Sequence, residues 1–353
     1  MKKTVIIFTP KYLDHKPGFD HPESPNRLRV IMKELKESGF FESGRCSLVE
    51  AEPASIGDLE LVHETDYIRL VERYCLSGGD LLDLGDTEVC PESYETAVYA
   101  VGGAIKAVDL VMAGESENAF ALVRPPGHHA GHNYAMGFCI FNNVAVAALR
   151  LLRDSNLKRL LILDVDAHHG NATQEIFYET DKVLFMSLHQ DPTSFPGTGF
   201  VDEIGKGKGK GYTVNIPLPY GTDDQSYLKA FNHIVVPIVR QYKPQFVFLS
   251  AGFDGHHTDP VANLSLSSST YLTIFEKMLN LASKFCMGKT VAVLEGGYSL
   301  SFLGKMAAGA IGKMAGISYT IQDKRSVAAD KIRRQVERTI REVERTQSFF
   351  WNL

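Results

Sequence analysis

The run Leu160-Leu161-Ile162-Leu163-Asp164-Val165-Asp166-Ala167-His168-His169-Gly170 passes directly from four apolar side chains to two carboxylates and two imidazoles. Its apolar part reads as a buried strand, and open parallel sheets collect their ligands beyond the carboxyl ends of such strands. Residues i and i+2 of an extended backbone point to one side, so Asp166 and His168 face the same way. That spacing suits two ligands of one divalent metal. Taken alone, the same residues could equally cap the helix that follows, and the rest of the chain has to decide.

Working outward, apolar runs at residues 119–123, 160–165, 183–188, 246–250 and 290–294 each end in a polar or glycine-rich loop. Helical patterns lie between them at 142–153, 171–179, 224–242 and 267–285. Strand alternating with helix at this interval predicts a parallel sheet with helices on both faces, an α/β fold. Upstream, the spacing predicts a first strand over 2–8 and a helix opened by Ser24-Pro25, with Leu28, Ile31, Met32 and Leu35 on one face as far as Gly39. Arg27 sits in the first turn of that helix, an unfavourable place for a cation. A short strand near 47–50, helical material over 56–76 and an alanine-rich helix over 92–112 follow.

Nothing in the composition marks a second domain, so residues 1–353 are expected to form one, with a core over 1–315. Residues 205–211 alternate Gly and Lys, but they precede a strand at 212–216 and lack the GxxxxGK[ST] pattern, which predicts a mobile basic loop and no phosphate cradle. Near the end, Ala329, Ile332, Val336, Ile340 and Val343 recur at helical spacing among Arg and Glu. They predict an amphipathic helix over about 325–345, docked on its own domain or serving a homo-oligomer contact.

A formal net charge of −5 provides no basic field for a phosphate backbone, so direct nucleic-acid binding is not expected. No apolar run approaches the roughly 20 residues that span a bilayer, and no cleavage signal follows Met1, which predicts a cytoplasmic protein without membrane contact. The five cysteines are scattered without CxxC spacing, against both a disulfide framework and a thiolate zinc site.

Three more strand ends carry chemistry. Residues 119–123 run into Arg124-Pro125-Pro126-Gly127-His128-His129, where the prolines stiffen a turn bearing two adjacent imidazoles. Residues 246–250 lead to Ala251-Gly252-Phe253-Asp254, and residues 290–294 to Glu295-Gly296-Gly297-Tyr298. Asp166, His168 and Asp254 would make a three-ligand site with room for water, the catalytic arrangement.

These four segments, with His21-Pro22-Glu23-Ser24-Pro25-Asn26-Arg27-Leu28, resemble the signature segments of the zinc-dependent histone deacetylase superfamily, which includes acetylpolyamine amidohydrolases and acetoin-utilisation proteins. The resemblance runs from about His21 to Leu300. It implies an arginase-like single domain around an eight-stranded parallel sheet, and one catalytic zinc, with ferrous iron as an alternative, on Asp166, His168 and Asp254. It further implies that His128 and His129 are the paired histidines, backed by Asp164 and by Asn171, where many relatives have a second acid. That amide, like Glu295, is similar to the class II-like branch. Tyr298 matches the phenol that polarises the substrate carbonyl. Phe138 and Phe195 match the walls of an acyl-lysine tunnel, and Gly137 and Gly297 belong to the substrate-binding set. Arg27 gains a supporting role. One structural potassium is implied near Asp164, Asp166, His168, Ser187 and Leu188, and a second near Phe177, Thr180, Val183 and Tyr212.

The implied reaction is removal of acetyl from N-acetyl-lysine or from a small acetylated amine. His129 is expected to be general base and then general acid, with His128 cationic beside Asp164. Two departures from the family pattern bear on substrate. Val89 stands where protein-directed relatives often hold a rim aspartate, with Glu88 next to it, and Val261 stands where polyamine-selective relatives carry glutamate. His256 and His257 are expected to be exposed loop residues or to line the mouth of the site. An acetylpolyamine amidohydrolase, a catalytically silent acyl-lysine binding module and an arginase-like ureohydrolase are the rival readings.

Overall fold

The computed structural model describes residues 4–353. Its strands are β1 (Thr4–Ile7), β2 (Cys46–Val49), β3 (Asn118–Ala121), β4 (Leu160–Asp164), β5 (Val183–Gln190), β6 (Thr213–Leu218), β7 (Phe246–Ala251) and β8 (Thr290–Leu294). They form one all-parallel sheet in the order β2-β1-β3-β8-β7-β4-β5-β6. Lys2 and Lys3, expected in the first strand, lie outside the described residues. Every residue of β1, β3, β4, β5, β7 and β8 is buried, because helices cover both faces of a parallel sheet.

The helices are α1 (Asn26–Glu37), α2 (Ile56–Leu59), α3 (Thr65–Leu76), α4 (Ser93–Met112), α5 (Asn143–Asp154), α6 (Asn171–Phe177), α7 (Asp224–Ala230), α8 (Val236–Tyr242), α9 (Ser268–Cys286), α10 (Leu303–Ala315) and α11 (Asp330–Gln347). The single helix expected over 224–242 is interrupted by a π-helical turn, Phe231–Val235, between α7 and α8. Pro237 near the start of α8 has no N–H to give, and the ladder widens just before it.

Topology then does what sequence order conceals. β3, β8, β7 and β4 are consecutive neighbours in the sheet, so the four motif-bearing loops leave from four adjacent carboxyl ends. In register, Asp164 lies opposite Ser250 and Ala251 opposite Leu294.

The sheet edge at β6 is covered by the end of the chain. Val336, Ile340 and Val343 of α11 are buried, the Gln347 side chain donates to the Thr213 carbonyl (2.9 Å), and the Trp351 indole donates to the Gly211 carbonyl (2.8 Å). An uncovered edge strand would invite pairing with another chain. The apolar stripe considered for a subunit contact is therefore taken up within the chain, and Ala329, expected on it, is an exposed residue just ahead of the helix. The Gly/Lys run is pinned, contrary to the mobile loop expected: Lys206 N–H donates to Tyr178 O (2.8 Å), and Gly209 is buried. No helix among the described residues is long and apolar enough to cross a membrane.

Candidate active site

Beyond β4 the backbone is folded over its own carboxylates. Asp164 Oδ1 accepts from the Asp166 amide (3.1 Å), and Asp166 Oδ1 accepts from the His168 amide (2.9 Å). Asp254, delivered by the loop after β7, accepts from the Ala167 amide (2.8 Å), and Asp166 Oδ2 accepts from the Gly296 amide after β8 (2.8 Å). One potential ligand atom from each of Asp166, His168 and Asp254 lies within 4.8 Å of the others. His168 Nδ1 is 2.8 Å from Asp254 Oδ2, but the two are not aligned as donor and acceptor, and that buried oxygen has no hydrogen-bond partner among the described residues. Burial, then the neighbouring Asp166 charge, push Asp254 up to about 7. Two carboxylates so close in a dry site call for a cation, and an imidazole with two carboxylates is a donor set that suits zinc.

The paired histidines sit beside this centre. Glu295 holds their turn, its Oε2 accepting from the Gly127 amide (2.8 Å) and the His128 amide (3.2 Å) while Oε1 accepts from Ser250 Oγ (3.2 Å). His128 Nδ1 meets Asp164 Oδ2 at 2.9 Å, and His129 Nδ1 meets Asn171 Oδ1 at 2.6 Å. Burial disfavours charge on His128, but the Asp164 and Asp166 carboxylates outweigh it and raise its pKa to about 10. For His129, burial and then the charge on His128 keep the imidazole well below the ordinary histidine range. The surroundings thus favour a proton on His128 and disfavour one on His129.

Tyr298 is fixed from three sides. Arg27, fully buried, donates from Nε to the Gly297 carbonyl (2.7 Å) and from Nη2 to the Glu295 carbonyl, and its guanidinium carbon stands 4.9 Å from the Tyr298 ring centroid. Asp259 Oδ2 accepts from the amides of Tyr298 (2.7 Å) and Ser299 (3.1 Å). Phe138 meets the phenol ring edge-on at 5.6 Å. The Tyr298 hydroxyl makes no hydrogen bond among the described residues, which leaves it free for a ligand. Met136 and Cys139 exchange backbone hydrogen bonds around Gly137 and Phe138, both at positive φ (54° and 68°), so Phe138 is thrust outward by a mirror-image two-residue turn. Phe195 stands by the histidines, with its ring 5.0 Å from His129 and 5.7 Å from His168. A cavity of about 850 Å³, lined by His21, Pro260, Val261 and Leu300 among others, opens beside Tyr298.

The histone deacetylase domain family matches residues 21–314. The chain belongs to the histone deacetylase family. It is 43% identical to a probable deacetylase of Archaeoglobus fulgidus over 99% of this chain and 98% of that protein. To a histone deacetylase-like amidohydrolase of Pseudomonas aeruginosa it is 37% identical, over 86% and 79%. A crystal structure described as the HDA15 HD domain superposes with a TM-score of 0.88 at 34% identity, covering 99% of this chain and 95% of the other. The eight-stranded arginase-like fold expected from the family resemblance is the fold observed.

The remaining expected residues fall as follows. Ser187 lies opposite Asp164 in the β4–β5 register, and the Leu188 carbonyl accepts from Tyr227 Oη (3.2 Å). Phe177 ends α6, Thr180 follows in the loop, Val183 begins β5, and the Tyr212 carbonyl accepts from the Phe185 amide (2.9 Å). His169 is spent on Thr198 and Gln174, both at 3.1 Å, away from the centre. Glu88 is tied to the Gly18 amide (2.5 Å), and Val89 is buried. His256 is neither exposed nor at the mouth: it is fully buried and bonds Asp323 at 2.8 Å, while half-buried His257 bonds the Leu266 carbonyl (3.2 Å).

Local sequence did not disclose Asp259, or the buried cluster behind Arg27. There Glu23 lies 2.9 Å from Arg27 and 2.8 Å from Arg124, with His15 at 3.4 Å. Burial alone would raise Glu23, but Arg124 chiefly, with His15 and Arg27, brings it down to about 2. Glu23 and Arg27 are four residues apart, a spacing that could have flagged the pair; the rest joins parts of the chain with no common signal.

Proposed function

We propose that the chain is a metal-dependent deacetylase that hydrolyses the amide of N-acetyl-lysine in peptides or proteins, or of small acetylated amines. The observation carrying this reading is the convergence of Asp166, His168 and Asp254 beside two histidines, one backed by the Asp164 carboxylate and one by the Asn171 amide. A zinc ion held by those three residues would make a water nucleophilic and polarise the acetyl carbonyl. His129 Nε2 accepts the proton of the attacking water and later gives it to the departing amine. Tyr298 donates a hydrogen bond to the developing oxyanion, while His128, cationic beside Asp164, stabilises the same negative charge through space. Phe138 and Phe195 form a sleeve for a methylene chain, and the Gly137 carbonyl accepts the substrate N–H. Potassium at the two implied positions would be structural.

A silent acyl-lysine binding module needs neither the Tyr298 hydroxyl nor a neutral imidazole next to a cationic one, and a ureohydrolase site wants carboxylates for a second metal. Val261 and Pro260 give the mouth an apolar side, suited to a peptide as much as to a polyamine. The test is turnover of a fluorogenic acetyl-lysine peptide, with acetylputrescine and acetylspermidine alongside. A chelator should abolish turnover and added zinc restore it; undiminished activity in metal-stripped protein sinks the reading.

A further inference from the structure

Asn171 is neutral, and its far side is taken up by two residues outside the signature segments. Its Nδ2 donates to the Tyr134 hydroxyl at 3.2 Å, with Met136 Sδ at 3.8 Å. The Tyr134 hydroxyl lies 2.7 Å from Glu175 Oε2. An ionised carboxylate only accepts, so the phenol donates to Glu175 and must accept from Asn171. That choice turns the Asn171 carbonyl oxygen toward His129, whose Nδ1 at 2.6 Å must then carry the proton. Every group in the chain donates outward, from imidazole to amide to phenol to carboxylate, so each bond polarises the next.

The local structure is built for this bridge. Asn171 and Glu175 stand one turn apart on α6, so one phenol can touch both. The Tyr134 ring packs against Gly131, where a Cβ would come within 2.1 Å of it. Burial and then the bond to Glu175 push the phenol further above its ordinary range, so it stays a donor.

We propose that Tyr134 and Glu175 are positioning residues for His129: they lock the Asn171 amide and so hold His129 in the tautomer whose Nε2 is free to accept a proton. The negative charge that Asn171 lacks is supplied at one remove. This inference rests on the assignment of His129 as general base. Its competitor is a bond that merely ties the 131–136 loop to α6.

The test uses the full chain carrying Glu175→Gln, Tyr134→Phe, Asn171→Asp, or Asn171→Asp with Glu175→Gln, with metal content checked in each. Glu175→Gln and Tyr134→Phe should each lower kcat on the acetyl-lysine peptide about fivefold, near the worth of one hydrogen bond, with KM changed less than about twofold. In the Asn171→Asp background a carboxylate meets His129 directly, and Glu175→Gln should then cost less than about twofold. By heteronuclear NMR, the His129 Nδ1–H signal, identified by its loss in His129→Ala, should move upfield in Glu175→Gln. Unchanged kcat with an unmoved signal overturns the proposal, as does an equal loss in both backgrounds, which would assign Glu175 to loop stability. Should the unsubstituted protein show no chelator-sensitive turnover, the proposed function fails and the NMR signal alone decides this inference.

Discussion

His128 and His129 are sequence neighbours with ring centroids 3.9 Å apart, yet they sit in opposite electrostatic regimes. On one side Asp164, fully buried at the end of β4, gives His128 a full negative charge at 2.9 Å. On the other, half-buried Asn171 gives His129 only a carbonyl dipole at 2.6 Å. Two imidazoles this close in a dry site do not both hold a proton readily, since the first charge repels the second. The carboxylate decides which ring takes it. A carboxylate behind one ring and an amide behind the other thus go with opposite shifts in proton affinity, raised at His128 and lowered at His129.

The largest expected effect removes the ground the two histidines share. Asp254→Ala should bind less than one equivalent of zinc, with turnover falling to the metal-free level; a full equivalent of metal would take Asp254 out of the ligand set. Next, His129→Ala should lower kcat by about 10² to 10⁴, the usual worth of a positioned acid–base group, and His128→Ala by clearly less. If His129→Ala kept more than a tenth of the activity, the roles would have to be exchanged.

Tyr298→Phe should cost about 10² to 10³ in kcat with little change in KM. A matching loss in substrate binding would remove its oxyanion role. Asp164→Asn should disturb turnover less than either histidine substitution but should change the pH dependence of stability. The folded pKa of His128, about 10, lies above its unfolded value near 6.5, so protonation favours the fold. That stabilisation is complete below about pH 6.5 and is lost as pH rises through about 10. The Tm gap between wild type and Asp164→Asn should therefore be at its full width at and below about pH 6.5 and narrow toward pH 10. A gap constant with pH would mean that Asp164 acts by packing alone.

Much of this contrast is legible along the chain because its parts are local. Each motif follows directly on an apolar strand, and a strand buried on both faces must be a continuous apolar run, so strand and motif announce one another. The i, i+2 pair Asp166 and His168 is expected from a pleat, but β4 ends at Asp164 and the two lie in the bend beyond it, so the folded loop brings them together. His256 was misread because adjacent loop histidines look solvated, whereas its partner Asp323 lies in the segment after α10. Asp259, Glu23 with Arg124, and Tyr134 with Glu175 escaped for a common reason: each acts through a side chain brought near by folding, and no periodicity links the partners.

Spacing along the chain is enough to tell that strands alternate with helices, that polar side chains wait at the strand ends, and which residue types could hold a metal and move a proton. Packing, by contrast, sets β3, β8, β7 and β4 side by side, so that four distant loops make one site. It also decided that α11 covers the β6 edge, that Arg27 faces Tyr298, and that a phenol and a glutamate stand behind Asn171. The reason is that sequence spacing encodes directions along one element, whereas charge, burial and hydrogen-bond reach act across elements and exist only once these are packed.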